Sequence, residues 1–271
     1  MNNDILIAKD NQFLHPQSRE AKVSDDDIVK EQGQKCGKTS HANCMICGAP
    51  LVYFSNNETK VCAYCSKAMS ANAVCENGHF VCDSCHGADA LNFARSFLIH
   101  TQATDLIGAM NIMRSHPSFK CHGPEHHFAI AGVIPTVYKN MGGNISNKDI
   151  LTAIERGTAI PGGACGFWGG CGASLGAGIG FGVIIGSNPL KPAKRQILQK
   201  ITSEISSELS KVKAARCCQR ECWTSLIKVS ALSEKYLDIK LPANDSVICR
   251  QMDINKECIK GACAFYSGNK S

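Results

Sequence analysis

Beyond residue 88, apolar side chains recur mostly every three or four positions, the spacing of helices that bury one face. Asp89–Ile99 and Asp105–Arg114 carry this pattern, and His116-Pro117 ends the second segment. Glu125–Asn140 is another helical stretch, entered through Pro124 and closed by Gly142-Gly143, with Pro135 expected to kink or split it. Ser146 and Asp149 resemble a capped start for Ile150–Arg156, with Gly157 as its stop. Lys194–Lys213 and Ala214–Tyr236 read as two further helices. Strand-like alternation is confined to the first cysteine-bearing segment. The pattern therefore predicts a mostly α protein in three parts: a flexible polar tail over 1–40, a small metal-binding module over 41–87 and a mostly helical domain over 88–271. The tail has room for one short helix near Asp25–Glu31.

One segment breaks the amphipathic pattern. Gly157 to Leu190 carries no charge and is long enough to span a bilayer, with small residues at spacings such as Gly172/Gly176. Its glycines and few bulky side chains favour a buried helix that permits close backbone approach, and no membrane span is expected. Cys165 and Cys171 would lie in the entering loop and first turn, facing a cofactor.

Composition changes the picture most through cysteine, with 17 in 271 residues. The odd count forbids complete pairing. The first thirty residues hold no apolar signal segment, so a reducing, cytoplasmic setting is expected, where CxxC pairs read as metal ligands or redox centres. The formal charge of +6 suggests acidic partners. Two zinc sites sharing seven thiolates and one His would add about −3, and a [4Fe–4S] cluster on four thiolates about −2, so the loaded protein is near neutral. The basic residues are also scattered, which argues against nucleic acid.

The first cysteine cluster falls into four pairs: Cys44/Cys47, Cys62/Cys65, Cys75/His79 and Cys82/Cys85. Eight ligands suit two closed tetrahedral sites, each a structural zinc because no position remains for water. A segment this poor in large apolar side chains needs such staples. Sequential pairing would give two ribbons of zinc-ribbon or treble-clef type, and crossed pairing a RING-like brace. A RING would need its last CxxC after Cys85, whereas here the extra pair, Cys62/Cys65, precedes the central string. Cys36 and His86 are left over, and His86 could replace a ligand.

The segment from His116 to His127 is the densest polar constellation outside that module. His122-x-x-Glu125-His126 fits the inverted zinc-protease pattern, although Pro124 at a helix start takes His122 off the helical face. A metal-dependent hydrolase is one reading. A better one uses His122, Glu125 and His126 as catalytic groups at a helix N-terminus, binding an anionic or thiol substrate and moving protons.

The second cysteine set lacks CxxC knuckles. Cys218 and Cys222 stand one helical turn apart, Cys217 points elsewhere, and Cys249, Cys258 and Cys263 follow in a loop. Ligands dispersed over a helix and a glycine-containing loop are typical of iron–sulfur clusters. With Cys165 and Cys171 there are eight candidates for one [4Fe–4S] cluster with spare thiols, or for two; the reaction centre is expected at Cys165, Cys171, Cys218 and Cys222, near His122, Glu125 and His126.

Together, the motifs Cys-x-x-Cys-Gly-Ala-Pro-Leu, Cys-Glu-Asn-Gly-His-Phe-Val-Cys-Asp-x-Cys-His, His-Gly-Pro-Glu-His-His, Gly-Gly-x-Cys-Gly-Phe-Trp-Gly-x-Cys-Gly-Ala and Arg-Cys-Cys-x-Arg resemble a cysteine-rich family of unknown function, DUF5714, over about residues 41–266. The resemblance implies an anaerobic prokaryotic setting beside SAM-dependent methyltransferases or radical-SAM proteins, and it carries over no catalytic residue. The expectation is a zinc- and iron–sulfur-binding protein, an enzyme or accessory factor in anaerobic sulfur, selenium or one-carbon metabolism. Its rival is a non-enzymatic zinc adaptor that docks a methyltransferase or nucleic acid.

Overall fold

The computed structural model describes residues 44–269 except 45, 48, 83, 84 and 86–88. The tail over 1–40 with its short helix near Asp25–Glu31, and residues Cys36 and His86, lie outside the described residues. Within them the fold is mostly helical, with one small sheet.

That sheet is a hairpin, β1 (Leu51–Val61) antiparallel to β2 (Ala68–Cys75). Its register slips between Tyr53 and Glu58, so β1 bulges out by several residues. The turn between the strands is the Cys62–Cys65 knuckle, and Tyr64 at its tip is fully buried. Tyr64 is the joint between sheet and helices. Its ring meets Phe93 edge-on at 4.4 Å and Phe97 at 6.1 Å, and its hydroxyl lies 3.2 Å from Ser115 Oγ.

Two short helices receive it. In α1 (Ala90–His100) the Asp89 carboxylate accepts from the Asn92 N–H at 2.9 Å, and in α2 (Leu106–Ser115) Asp105 accepts from the Gly108 N–H at 2.7 Å. Both helices turn their apolar faces onto α3 (Glu125–Asn140). The central helix α3 is buried from Glu125 to Tyr138 and also packs against the helices that follow. Full burial of Ile130 or Ile134 contributes about 1.5–3 kcal/mol each.

Pro135 does not divide α3. Proline leaves the carbonyl of Ala131, four residues earlier, without its helical donor. The backbone of Gly180 covers that carbonyl so closely that a methyl at 180 would stand 3.0 Å from it. The following helix, α4 (Asn147–Thr158), starts as expected but runs through Gly157. Gly157 acts here as a contact instead of a stop, because a side chain there would meet the Phe128 backbone at 2.5 Å.

The uncharged segment forms a short turn, α5 (Ala164–Phe167), and then α6 (Gly172–Ile184). Among the described residues no helix is long and apolar enough to cross a membrane. Glycines line two sides of α6. Gly172, Gly176 and Gly180 lie against α3, where added methyl groups would strike His127, its carbonyl and Ile134. Gly178 and Gly182 face Thr202 and Leu198 of α7 (Pro192–Ser210). The long hairpin partner α8 (Cys218–Tyr236) packs on α6 and α7. Both outer helices are shorter than the sequence pattern suggested, because Cys217 takes an extended conformation and residues 212–217 form a connector. The chain ends in a loop with two single turns, Lys260–Ala262 and Ser267–Asn269.

Candidate metal centres

The hairpin decides the pairing of the first eight ligands. Antiparallel strands return the end of β2 to the start of β1, with Cys75 opposite Leu51. The knuckle before β1 therefore meets the ligands after β2, and Cys44, Cys47, Cys75 and His79 form one set. The knuckle at the hairpin turn is left with the returning chain, giving Cys62, Cys65, Cys82 and Cys85. Within each set all ligand atoms lie within 4.8 Å of one another, close enough to hold one metal ion. The pairing is crossed.

Backbone and side-chain donors already point at these sulfurs. The His79 N–H donates to Cys75 Sγ at 3.2 Å, the Cys82 N–H to Cys62 Sγ at 3.4 Å and Asn77 Nδ2 to Cys47 Sγ at 3.5 Å. Asn77 and the Ala49 N–H lower the Cys47 thiol to about 6. At Cys62 burial raises the thiol, but the N–H groups of Cys82, Cys65 and Tyr64 outweigh it and bring it to about 7. His79 turns Nδ1 to the sulfurs, 3.4 Å from Cys75 and 3.9 Å from Cys44.

A second gathering of cysteines lies at the start of α8. Cys217, Cys249, Cys258 and Cys263 line one small cavity of about 20 Å³, whose walls are otherwise largely apolar: Trp223, Met252, Ile259 and Phe265 among them, with Arg220 and Asn255 as polar members. Trp223 meets Phe265 edge-on at 5.2 Å. The Lys260 N–H, set by a left-handed φ of 48°, donates to Cys258 Sγ at 3.3 Å. Gln219 Nε2 donates to Cys249 Sγ at 3.3 Å and Gln251 Nε2 to Cys217 Sγ at 3.8 Å. Among the described residues only the two N-terminal sets bring three or more ligand atoms to single-ion distance, so these four sulfurs share a cavity without converging on one point.

The four cysteines expected at the reaction centre, Cys165, Cys171, Cys218 and Cys222, do not line that cavity and, among the described residues, form no single-ion set. Cys165, in α5, is exposed; Cys171, at the N-cap of α6, lines the same cleft and donates to Glu221 Oε2 at 3.0 Å. Cys222 is fully buried; burial drives its thiol well above the ordinary value, with Cys218 adding to the shift.

Of the three catalytic candidates, two are engaged within the fold. Glu125 folds back over Gly123 and accepts from the Lys120 N–H at 2.9 Å. His126 donates from Nδ1 to the Gly123 carbonyl at 3.1 Å, and its Nε2 accepts from the Arg114 guanidinium. Burial, then the Arg114 charge, holds His126 neutral well below the ordinary histidine value. Neither nitrogen faces outward, and among the described residues His122, Glu125 and His126 form no ligand set, unlike the inverted protease pattern. His122 instead reaches the cavity loop, with Nε2 3.0 Å from Asn255 Oδ1 and 3.3 Å from Glu257; its buried Nδ1 has no hydrogen-bond partner. His127 donates to the Ile160 carbonyl at 3.1 Å.

Sequence reasoning missed Arg114, Gln219 and Gln251. Arg114 donates to Gln219 Oε1 at 3.1 Å and also to Gln251 Oε1. Each glutamine therefore links one guanidinium to one cysteine of the cavity. A lone arginine in the last turn of an amphipathic helix looks like a solvated charge, and no local signal separates it from one.

No curated protein and no solved structure matches the chain. Residues 94–266 match the family of unknown function DUF5714. That span begins within α1, after the crossed-ligand hairpin, and takes in the four-cysteine cavity, Arg114 and the histidine loop. On that match, the chain belongs to the DUF5714 family.

Proposed function

We propose that this chain is a zinc-braced iron–sulfur protein. Two structural zinc ions would fill the crossed sets, and a [4Fe–4S] cluster would be held by Cys217, Cys249, Cys258 and Cys263. The observation that carries this reading is the meeting of four thiols in one largely apolar cavity, beside two closed four-ligand sets. Seven thiolates and one imidazole in closed sets suit zinc. Sulfurs that share a cavity without reaching single-ion distance suit a polynuclear cluster, and N–H donors to three of them are of the kind that tunes such clusters.

When bound, a cluster supplies one-electron chemistry or an electrophilic iron. Around it the chain's residues have separable tasks. Trp223 and Phe265 limit water, Gln219 and Gln251 hold the sulfurs, and His122, bonded to Asn255 on the cavity wall, is the group set to move a proton. The wider role proposed is that of an enzyme or accessory factor in anaerobic, cytoplasmic sulfur, selenium or one-carbon metabolism, beside a SAM-dependent methyltransferase or radical-SAM protein. Its support is the motif resemblance and the load of oxidisable thiols.

Anaerobic purification with metal analysis and a visible spectrum tests the reading. Two zinc ions per chain, iron with acid-labile sulfide and absorbance near about 400 nm are expected. Cys258→Ala should bleach the absorbance while zinc stays. Colourless, zinc-only protein after anaerobic reconstitution would sink the cluster and favour the adaptor.

A further inference from the structure

A cleft of about 540 Å³ opens beside the four-cysteine cavity, between the end of α2, the start of α8 and the loop that carries Cys249. Its charged lining is all of one sign. Arg114, Lys120 and Arg250 contribute to the wall and no Asp or Glu does. Among the described residues none of the three takes part in an ion pair. Lys120 and Arg250 are exposed at the rim, whereas Arg114 lies deeper and only partly exposed.

The acceptors around Arg114 are neutral. Two glutamine carbonyls and the imidazole of His126 take three of its five N–H groups, and burial lowers its pKa from the ordinary value. Among the described residues no carboxylate pairs with Arg114, and a fork of N–H groups suits the oxygens of a carboxylate or oxyanion. Phe119 and Trp223 add apolar walls, and Asn111 and Ser115 add neutral polar groups.

We infer that this cleft binds a small oxyanion or carboxylate, with Arg114 at its base and Lys120 and Arg250 at its rim. Two rim cations around one enclosed guanidinium suit a ligand of one or two negative charges better than a nucleic-acid backbone, which needs a longer basic track. Gln219 and Gln251 run from Arg114 to Cys249 and Cys217, so the ligand would be bound one side chain away from the proposed cluster. The anion site stands without the iron–sulfur reading; only the coupling between them rests on it.

Calorimetric titration of the full-length, metal-loaded protein tests the site, with inorganic phosphate, sulfate and succinate in separate arms at fixed ionic strength. Saturable one-to-one binding in at least one arm is expected, and the arm that binds tells oxyanion from carboxylate. Arg114→Gln should weaken it by about tenfold or more, the loss of one charge-assisted contact. Because that change could disturb the interior, Lys120→Ser and Arg250→Ser, both at exposed positions, should each weaken it by about threefold with the melting temperature unchanged. No saturable binding in any arm, binding unaltered in the doubly substituted rim variant, or binding only of a short oligonucleotide would overturn the inference. A colourless, zinc-only protein that still binds phosphate through Arg114 would keep the anion site and remove the coupling.

Discussion

At Asp149, local sequence and local structure agree. Its carboxylate accepts from the Ser146 N–H at 2.8 Å and from the Ser146 hydroxyl at 2.7 Å, the closed start that the Ser-x-x-Asp spacing suggests. The hydroxyl, then the backbone N–H, lowers the Asp149 pKa. A lowered folded-state value means that the ionised form is the stabilising one. This contribution is therefore complete above the unfolded Asp value of about 3.9 and is lost as pH falls through the lowered one. Asp149→Asn should cost about 0.5–1 kcal/mol at pH 7. Denaturant melts at pH 7 and pH 3 should show the gap between wild type and variant closing in acid; an equal gap at both pH values would contradict the assignment. His126 shows the opposite case. Its residue type suggested catalysis; Gly123 is a local partner, but Arg114 comes from a separate helix, so nothing local announces the contact that buries Nε2.

Helix α6 shows how much an element can reveal. The uncharged, glycine-rich run was legible as a buried helix. Which glycines meet which neighbour was not, because all of them look alike in sequence. A methyl at Gly176 would lie 2.5 Å from the His127 carbonyl, a backbone atom of the central helix that cannot step aside. At Gly178 the nearest atom is Thr202 Oγ1 at 2.4 Å, a side-chain end that can rotate. The same substitution should thus have different results. Gly176→Ala should destabilise by about 1–3 kcal/mol through overpacking. At Gly178 the gain in helix propensity, about 1 kcal/mol, offsets the rotation of Thr202, so Gly178→Ala should be near neutral. Equal losses in urea melts of the two variants would show that α6 is not held between α3 and α7 as described.

Over the whole molecule, the two metal sets are alike in chemistry and unlike in position. The eight ligands were readable from spacing alone, but their crossing was not, since it follows from the return of β2 to the start of β1. The four thiols of the second cavity were likewise readable only as members of a larger group. They come from a helix N-cap and a long loop, whose approach is a matter of tertiary packing. The crossing has a mechanical consequence. The set of Cys62, Cys65, Cys82 and Cys85 carries Tyr64 on its knuckle and presents the Cys85 carbonyl to His116 Nε2 at 2.7 Å, so it is tied directly into the helical core. The set of Cys44, Cys47, Cys75 and His79 belongs to the far end of the hairpin. With zinc in both sets as proposed, losing the ion of the Cys62, Cys65, Cys82 and Cys85 set should release Tyr64 from Phe93 and Phe97; losing the ion of the Cys44, Cys47, Cys75 and His79 set should loosen only the hairpin ends. Tyr64→Ala, which empties the same space without touching a ligand, should cost about 3–5 kcal/mol. Cys62→Ser should lower the melting temperature of the helices by a comparable step and release one zinc per chain. Cys47→Ser and Cys75→Ser should also release one zinc, the same one, with little change in helix melting. Two zinc ions lost from the Cys47→Ser, Cys75→Ser double variant would mean that the pairing is sequential and that the hairpin does not cross its ligands.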